Sequence, residues 1–493
     1  MLQQLEKADT VRRMVAPRTA RKHKAALGQY MTPSSVARFM ASLFPASSLR
    51  TCRLLDAGAG VGALSCAFLD RWVAGGFGFE AVEATAYEVD GNLRDHLTRH
   101  LTGYRNVTPR IIAGDFIELA TADDLFTVKQ PTGYTHAILN PPYKKIHSDS
   151  PHRLALRRAG IETVNLYSAF VALAVADAAP GGQVVAIIPR SFCNGPYYRP
   201  FRDFILERAA IRHMHLFESR SKAFKDDEVL QENVIIRLER GGVQGPVTVS
   251  TSTDDSFSDL VTHEHPFERI VLPDDPEQFI HVPTSPEKSA IELSPAIRFM
   301  LADLGIKVST GPVVDFRLKE HLRDMPGEGT VPLLYPGHFS GSGTTWPIED
   351  LKKPNAIERN AETEKWLYPS GFYCAVRRFS SKEEKRRIVA SVVEPDAFGG
   401  APVLGFENHL NLFHENRRGL PEALARGLAV FLNTTAVDAH FRRFNGHTQV
   451  NATDLKLMKY PSRKALTRLG EWAMRQGTLT QDQIDAKLET LTE

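Results

Sequence analysis

Residues 54–62 read Leu54-Leu55-Asp56-Ala57-Gly58-Ala59-Gly60-Val61-Gly62: an apolar pair, an acid, and then glycine at every second position. The stretch closes a candidate strand over 53–58 and runs straight into a helical pattern over 64–74. Glycines at the carboxyl edge of a first strand let the backbone turn tightly and let a ligand approach the main chain, with a helix N-terminus behind it. A bare strand-to-helix turn carries the same letters, so its neighbours must decide. Working outward, β-branched runs at 85–89, 109–113, 136–139, 183–188, 212–217 and 233–238 alternate with helical patterns at 93–100, 166–178 and 198–208. Seven strands interleaved with helices predict an α/β fold around a mostly parallel, Rossmann-like sheet.

The second strand ends in Tyr87-Glu88-Val89-Asp90, which puts an acid where a ribose diol sits in a doubly wound fold. The third ends in Gly114-Asp115-Phe116, a second acid followed by a flat ring. One acidic strand end is ordinary solvent-facing punctuation. Asp56, Glu88 and Asp115 at three successive strand ends outline a nucleoside pocket instead. Dinucleotide sites place their glycines over a pyrophosphate, whereas here Asp56 precedes them and no phosphate-loop lysine follows. A carboxylate at that point disfavours phosphate and favours a cationic ligand, which points to S-adenosylmethionine.

The fourth strand ends in Asn140-Pro141-Pro142-Tyr143. The two prolines lack N–H groups and fix φ, so the loop is stiff and its carbonyls are free to point outward. Asn140 offers a neutral side-chain carbonyl, Pro141 a backbone carbonyl, and Tyr143 an aromatic face. Two acceptors aimed at one amine draw its lone pair out of conjugation while the ring stacks on the base that carries it. The residues thus predict amine methylation, with Asn140, Pro141, Pro142 and Tyr143 as the catalytic loop.

With these blocks in view, residues 28–240 resemble the catalytic domain of adenine-N6 DNA methyltransferases of the gamma motif order, in which the cofactor half precedes the catalytic half. Gly28-Gln29-Tyr30-Met31-Thr32-Pro33 resembles the block that closes over the cofactor's methionine end. The resemblance implies cofactor contacts from Gln29, Tyr30, Thr32, Pro33, Asp56, Gly58, Gly60, Glu88, Asp115 and Phe116. It also implies a target pocket flanked by 165–170 and 189–195, with Tyr167, Phe192 and Asn194 as substrate contacts. More narrowly, Glu407-Asn408-His409-Leu410 and 444–451 look like the C-terminal segments of the BsuBI/PstI type of restriction-modification methyltransferases. That type implies double-stranded DNA as partner, with a separate cognate endonuclease in the same system.

At 493 residues the chain is too long for one core, and 42% apolar with 24% charged residues is a globular composition that excludes disorder. The Pro-, Asp- and Ser-rich text after Gly241 suggests four parts: a basic segment 1–27, a catalytic domain 28–245, a linker 246–294 and a DNA-recognition domain 295–493. A formal charge of +2 excludes a uniformly basic coat, so DNA contacts must come from patches. Seven Lys/Arg against two acids in the first thirty residues make one patch. Arg377, Arg378, Lys382, Lys385, Arg386 and Arg387 make another, and Arg377, Arg378, His447, Gln449 and Asn451 are its candidate DNA contacts. The block 446–451 is equally readable as a structural brace.

Four scattered cysteines and no Cys/His cluster give no disulfide framework and no expected metal. His213 and His215, two apart on a strand, lack a third ligand candidate, and Glu383-Glu384-Lys385 reads as a solvated helix face sooner than a nuclease motif. No apolar run approaches the ~20 residues of a membrane span, and a cytoplasmic setting is expected. Methylation of an RNA base or a protein glutamine amide, and a fused nuclease, remain as alternatives.

Overall fold

The computed structural model describes residues 4–15, 31–122, 133–218, 232–340 and 343–490. The chain divides into two units, Met1–Pro286 and Glu287–Glu493.

The first unit is built on a nine-stranded sheet. Its strands are β1 (Thr51–Ala57), β2 (Ala81–Tyr87), β3 (Val107–Ile112), β4 (Tyr134–Leu139), β5 (Ala178–Pro189), β6 (Ala209–Phe217), β7 (Asn233–Arg240), β8 (Val247–Ser252) and β9 (Val261–His265). They lie in the order β3-β2-β1-β4-β5-β7-β6-β8-β9. From β3 across to β5 all pairings are parallel; β7 runs antiparallel between β5 and β6, and β9 antiparallel to β8. The order reverses between β1 and β4, and in such sheets ligands bind beyond the strand ends at that reversal.

Strand parity explains why the central strands are apolar on both faces over 54–55, 137–139 and 184–188. Leu55, Ala137, Leu139, Val184, Ala186 and Ile188 pack into a core on one face, and Leu54, Ile138, Val185 and Ile187 into a core on the other. A parallel strand covered on both sides has no wet face, so both parities must be apolar. The helix Leu166–Asp177 obeys the same logic. It is buried continuously from Tyr167 to Val175, because it lies between the sheet and the helix Arg199–Arg208.

The expected linker 246–294 is corrected by the sheet, which gains two strands beyond the seven anticipated. β8 pairs in parallel with β6, and Ile270, Val271, Ile280 and Val282 complete the same core as Leu55. One face of β8 carries Val247 and Val249 into that core, but the other buries Ser250 and Ser252, which disguised the strand. Ser250 lies within hydrogen-bond distance of His213 at 2.8 Å and His215 at 2.9 Å, and Ser252 of His215 at 3.2 Å. Burial holds both imidazoles neutral, their pKa values lowered to about 4 and about 3.

In the second unit a four-stranded antiparallel sheet runs in the order Lys307–Thr310, Leu410–His414, Tyr373–Arg377, Ala390–Val393. A five-stranded sheet includes Ala356–Glu358, Thr330–Leu334 and Val403–Phe406. The helices Glu422–Leu432 and Arg463–Met474 cross in backbone contact: a Cβ added to Gly427 would lie 1.8 Å from the Leu466 carbonyl oxygen, and one on Gly470 1.6 Å from that of Ala423.

Candidate active site

Beyond β1 the chain turns through Gly58, Gly60 and Gly62, whose φ angles are 76°, 57° and 86°, a region that favours glycine. The N–H groups of Gly58 and Ala59 both donate to the Tyr87 carbonyl, at 3.0 and 2.9 Å, which ties the turn to the end of β2. Glu88 then accepts from Gly60 N–H at 2.7 Å through one oxygen and from Asp90 N–H at 2.8 Å through the other. Burial raises its pKa, against the backbone N–H groups that favour its charged form.

These groups wall a cavity of about 210 Å³. Gly58, Gly60 and Glu88 form one part of it, Asp115, Phe116 and Phe170 another, and Thr32, Asn140 and Pro142 a third. A Cβ at Gly60 would meet nothing within 4 Å, so the main chain there is open to a ligand. The set suits S-adenosylmethionine: a buried carboxylate for a ribose diol, apolar walls for a purine, and bare backbone at the turn.

Asp56 departs from its expected role. It is 1% exposed and stands behind the turn, outside the cavity wall. One oxygen accepts from Ser65 Oγ at 2.6 Å and Ser65 N–H at 3.2 Å, at the start of the helix Ala63–Arg71, while Oδ1 is buried without a partner. Desolvation lifts its pKa to about 7, so it braces the helix start and is a poor source of fixed negative charge.

Asp115 caps the helix Phe116–Ala120, accepting from Glu118 N–H at 3.0 Å, and its second oxygen lies 3.2 Å from His152 Nε2. Phe116 stands edge-on to Tyr87 at 4.9 Å and tilted against Phe170 at 5.1 Å. His152 and Lys144 also border the cavity. They carry no motif, and nothing in the sequence singled them out. Leu166 and Phe170 belong to a block read as flanking the target, yet both line this cavity.

The loop after β4 is stiff and specifically oriented. Asn140 Nδ2 donates to Thr32 Oγ1 at 3.0 Å. The Tyr143 hydroxyl stands 3.1 Å from Asn140 Oδ1 and 3.2 Å from the Ile187 carbonyl, so its one proton lies between two acceptors. The amide plane is thereby set. Tyr143 meets Tyr167 edge-on at 6.2 Å, and the Tyr167 hydroxyl is 2.9 Å from Ser191 Oγ.

Other expected contacts are distributed differently. Gln29 and Tyr30 lie outside the described residues. Pro33 starts the helix Ser34–Ser42, its carbonyl accepting from Ala37 N–H at 2.9 Å. Phe192 and Asn194 are fully buried and stand apart from the cavity wall; Arg202 clamps the carbonyls of Phe192 and Gly195 at 3.1 and 3.0 Å. In the second unit the segment 445–451 is tied to its neighbours by hydrogen bonds. Arg387 bonds Asn445 and the His447 carbonyl, Arg378 reaches Gln449 at 3.3 Å, and Asn451 N–H donates to Asp454 at 3.0 Å where a helix begins. Glu384 pairs with Arg377 in a turn, where a solvated helix face was expected.

A family model described as Eco57I restriction-modification methylase matches residues 88–224. Along 100% of its length the chain is 54% identical to the type II methyltransferase M.BsuBI of Bacillus subtilis, covering 98% of that protein. It belongs to the type II methyltransferases of restriction-modification systems. A second member, M.PstI of Providencia stuartii, is 43% identical over 90% of the chain and 88% of its own length. Among solved structures, the fold is similar to that of the type IIL restriction-modification enzyme MmeI in complex with DNA, with a TM-score of 0.52, 9% identity, and coverage of 99% of this chain and 73% of that one. For a type II DNA methyltransferase, the cavity at the β1/β4 reversal is where the fold places its ligand.

Proposed function

We propose that the protein transfers the methyl group of S-adenosylmethionine to the N6 amine of an adenine rotated out of double-stranded DNA, marking a specific site against a cognate endonuclease. The observation that carries this is the Asn140–Tyr143 loop at the cavity's edge, its amide oriented by Thr32 on one side and Tyr143 on the other.

S-adenosylmethionine supplies, when bound, an electrophilic methyl group on a sulfonium. Glu88 would take the ribose hydroxyls, and Phe116, Leu166 and Phe170 would enclose the purine. Extruding the target base costs a few kcal/mol of stacking and pairing, offset here by the ring of Tyr143. Asn140 Oδ1 and the Pro141 carbonyl each accept one amine hydrogen, so the nitrogen lone pair leaves conjugation with the ring and points at the methyl group. Transfer would form the N–C bond as the methyl carbon–sulfur bond breaks, its electron pair going to sulfur to leave the neutral thioether S-adenosylhomocysteine, and the amine would lose a proton to water. No group need be covalently modified, and the rate gain comes from positioning and fixed dipoles.

Sequencing of DNA from cells that express the chain tests the reading directly. N6-methyladenine at one recurring site is expected. Methylcytosine at that site, or activity confined to RNA or to a protein glutamine, overturns it.

A further inference from the structure

A second concavity, of about 320 Å³, lies wholly within the second unit, walled by Tyr335, Lys353, Arg377, Phe379 and His409. We propose that this cleft reads the edge of a base pair in the DNA site, an inference that rests on the DNA-methylating function proposed above.

Its walls stand at the ends of strands. Tyr335 follows Thr330–Leu334, Arg377 ends Tyr373–Arg377 with Phe379 two residues beyond, and His409 lies between Val403–Phe406 and Leu410–His414. His409 is held from behind. Glu407, 0% exposed, accepts both its backbone N–H at 2.9 Å and its Nδ1–H at 2.8 Å on one oxygen. A ring nitrogen fixed in this way sets the tautomer and leaves Nε2 as the presented atom. The imidazole stands edge-on to Phe379 at 4.8 Å, and Phe379 is a large aromatic ring left 40% exposed.

One further atom points to a ligand. The Tyr335 hydroxyl is buried with no partner although its residue lines the cleft. Such groups are costly to leave unsatisfied.

The charge balance selects the kind of ligand. The lysine and the arginine lining the cleft each already have an acid: Lys353 pairs with Asp315 at 2.8 Å and Arg377 with Glu384. A phosphate gains little where positive charge is already compensated. A base edge, which offers donors, acceptors and in thymine a methyl group, matches mixed polar groups beside an exposed ring. Neighbouring Arg378 is occupied with the Asn408 carbonyl at 3.1 Å and Gln449, and so buttresses the wall.

The test uses the full chain, a short duplex carrying the methylated site, and a duplex with that site scrambled. Fluorescence anisotropy at one salt concentration gives Kd for both duplexes with the wild type, His409→Gln and Phe379→Leu, and thermal melting establishes that each variant is folded. The variants are expected to lose about tenfold or more in affinity for the site duplex, the scale of one lost base contact. Scrambled-duplex affinity and S-adenosylhomocysteine binding should stay unchanged. Equal weakening on both duplexes identifies a phosphate contact and overturns the proposal, as does unchanged discrimination in both variants. A wild type that neither methylates nor prefers the site duplex defeats the DNA reading itself, and the cleft proposal falls with it.

Discussion

Asn140 stands at the cavity's edge with its amide oriented by Thr32 and Tyr143, and that makes it the most sensitive residue in the molecule. Asn140→Ala is expected to cut methyl transfer by about 10²–10³-fold, the usual cost of losing one preorganised polar group at a reacting centre. S-adenosylhomocysteine binding should be retained, and single-turnover kinetics beside calorimetry would expose any other pattern. Asp56 makes the complementary prediction about stability. Its folded pKa of about 7 lies above the ~3.9 of a free aspartate, so the folded state favours the neutral carboxyl. That contribution is fully present below about pH 4 and is lost as pH rises through about 7, a change of roughly 4 kcal/mol at most. Asp56→Asn cannot ionise, so its unfolding free energy should rise relative to wild type between pH 5 and pH 8. Parallel curves from urea titrations across that window would refute the assignment.

Among the elements, two glycine contacts matter for different reasons. At Gly62 the φ of 86° and the 2.8 Å approach of Leu97 Cδ1 leave no room for a side chain, so Gly62→Ala is expected to cost about 1–3 kcal/mol and to disturb the cofactor turn. Gly427 and Gly470 let two helices touch through their backbones, where the obstructing atoms are main-chain carbonyls that no rotamer change can move. Gly470→Ala should therefore destabilise the second unit by about 3 kcal/mol or more, read as an early transition in thermal melting with cofactor affinity preserved. The turn was legible in the sequence because three glycines stand at a strand end. The helix crossing was not, because a glycine within a helical pattern does not name its partner.

On the scale of the whole molecule, the cofactor cavity lies entirely within the first unit. Residues 1–286 expressed alone are expected to bind S-adenosylhomocysteine as the full chain does, and to lose site-specific methylation by about 10³-fold, a typical gap between specific and non-specific DNA binding. Full methylation by the fragment would deny the second unit its recognition role. The first unit also shows where composition misleads: the Pro- and Asp-rich text after Gly241 holds two strands and six residues of the first unit's core. β8 was missed because buried serines, paired with buried histidines, imitate an exposed face.

Local chemistry was enough to determine the α/β alternation, the glycine turn, the acid beyond the end of β2 and the Asn-Pro-Pro-Tyr loop, since each is a run of adjacent residues whose geometry follows from its own backbone. Only the tertiary structure could decide that Asp56 faces a helix rather than a ligand, that Phe192 and Asn194 are buried, and that His152 meets Asp115. These depend on residues far apart in the chain arriving at one place, and one-dimensional spacing does not encode that distance.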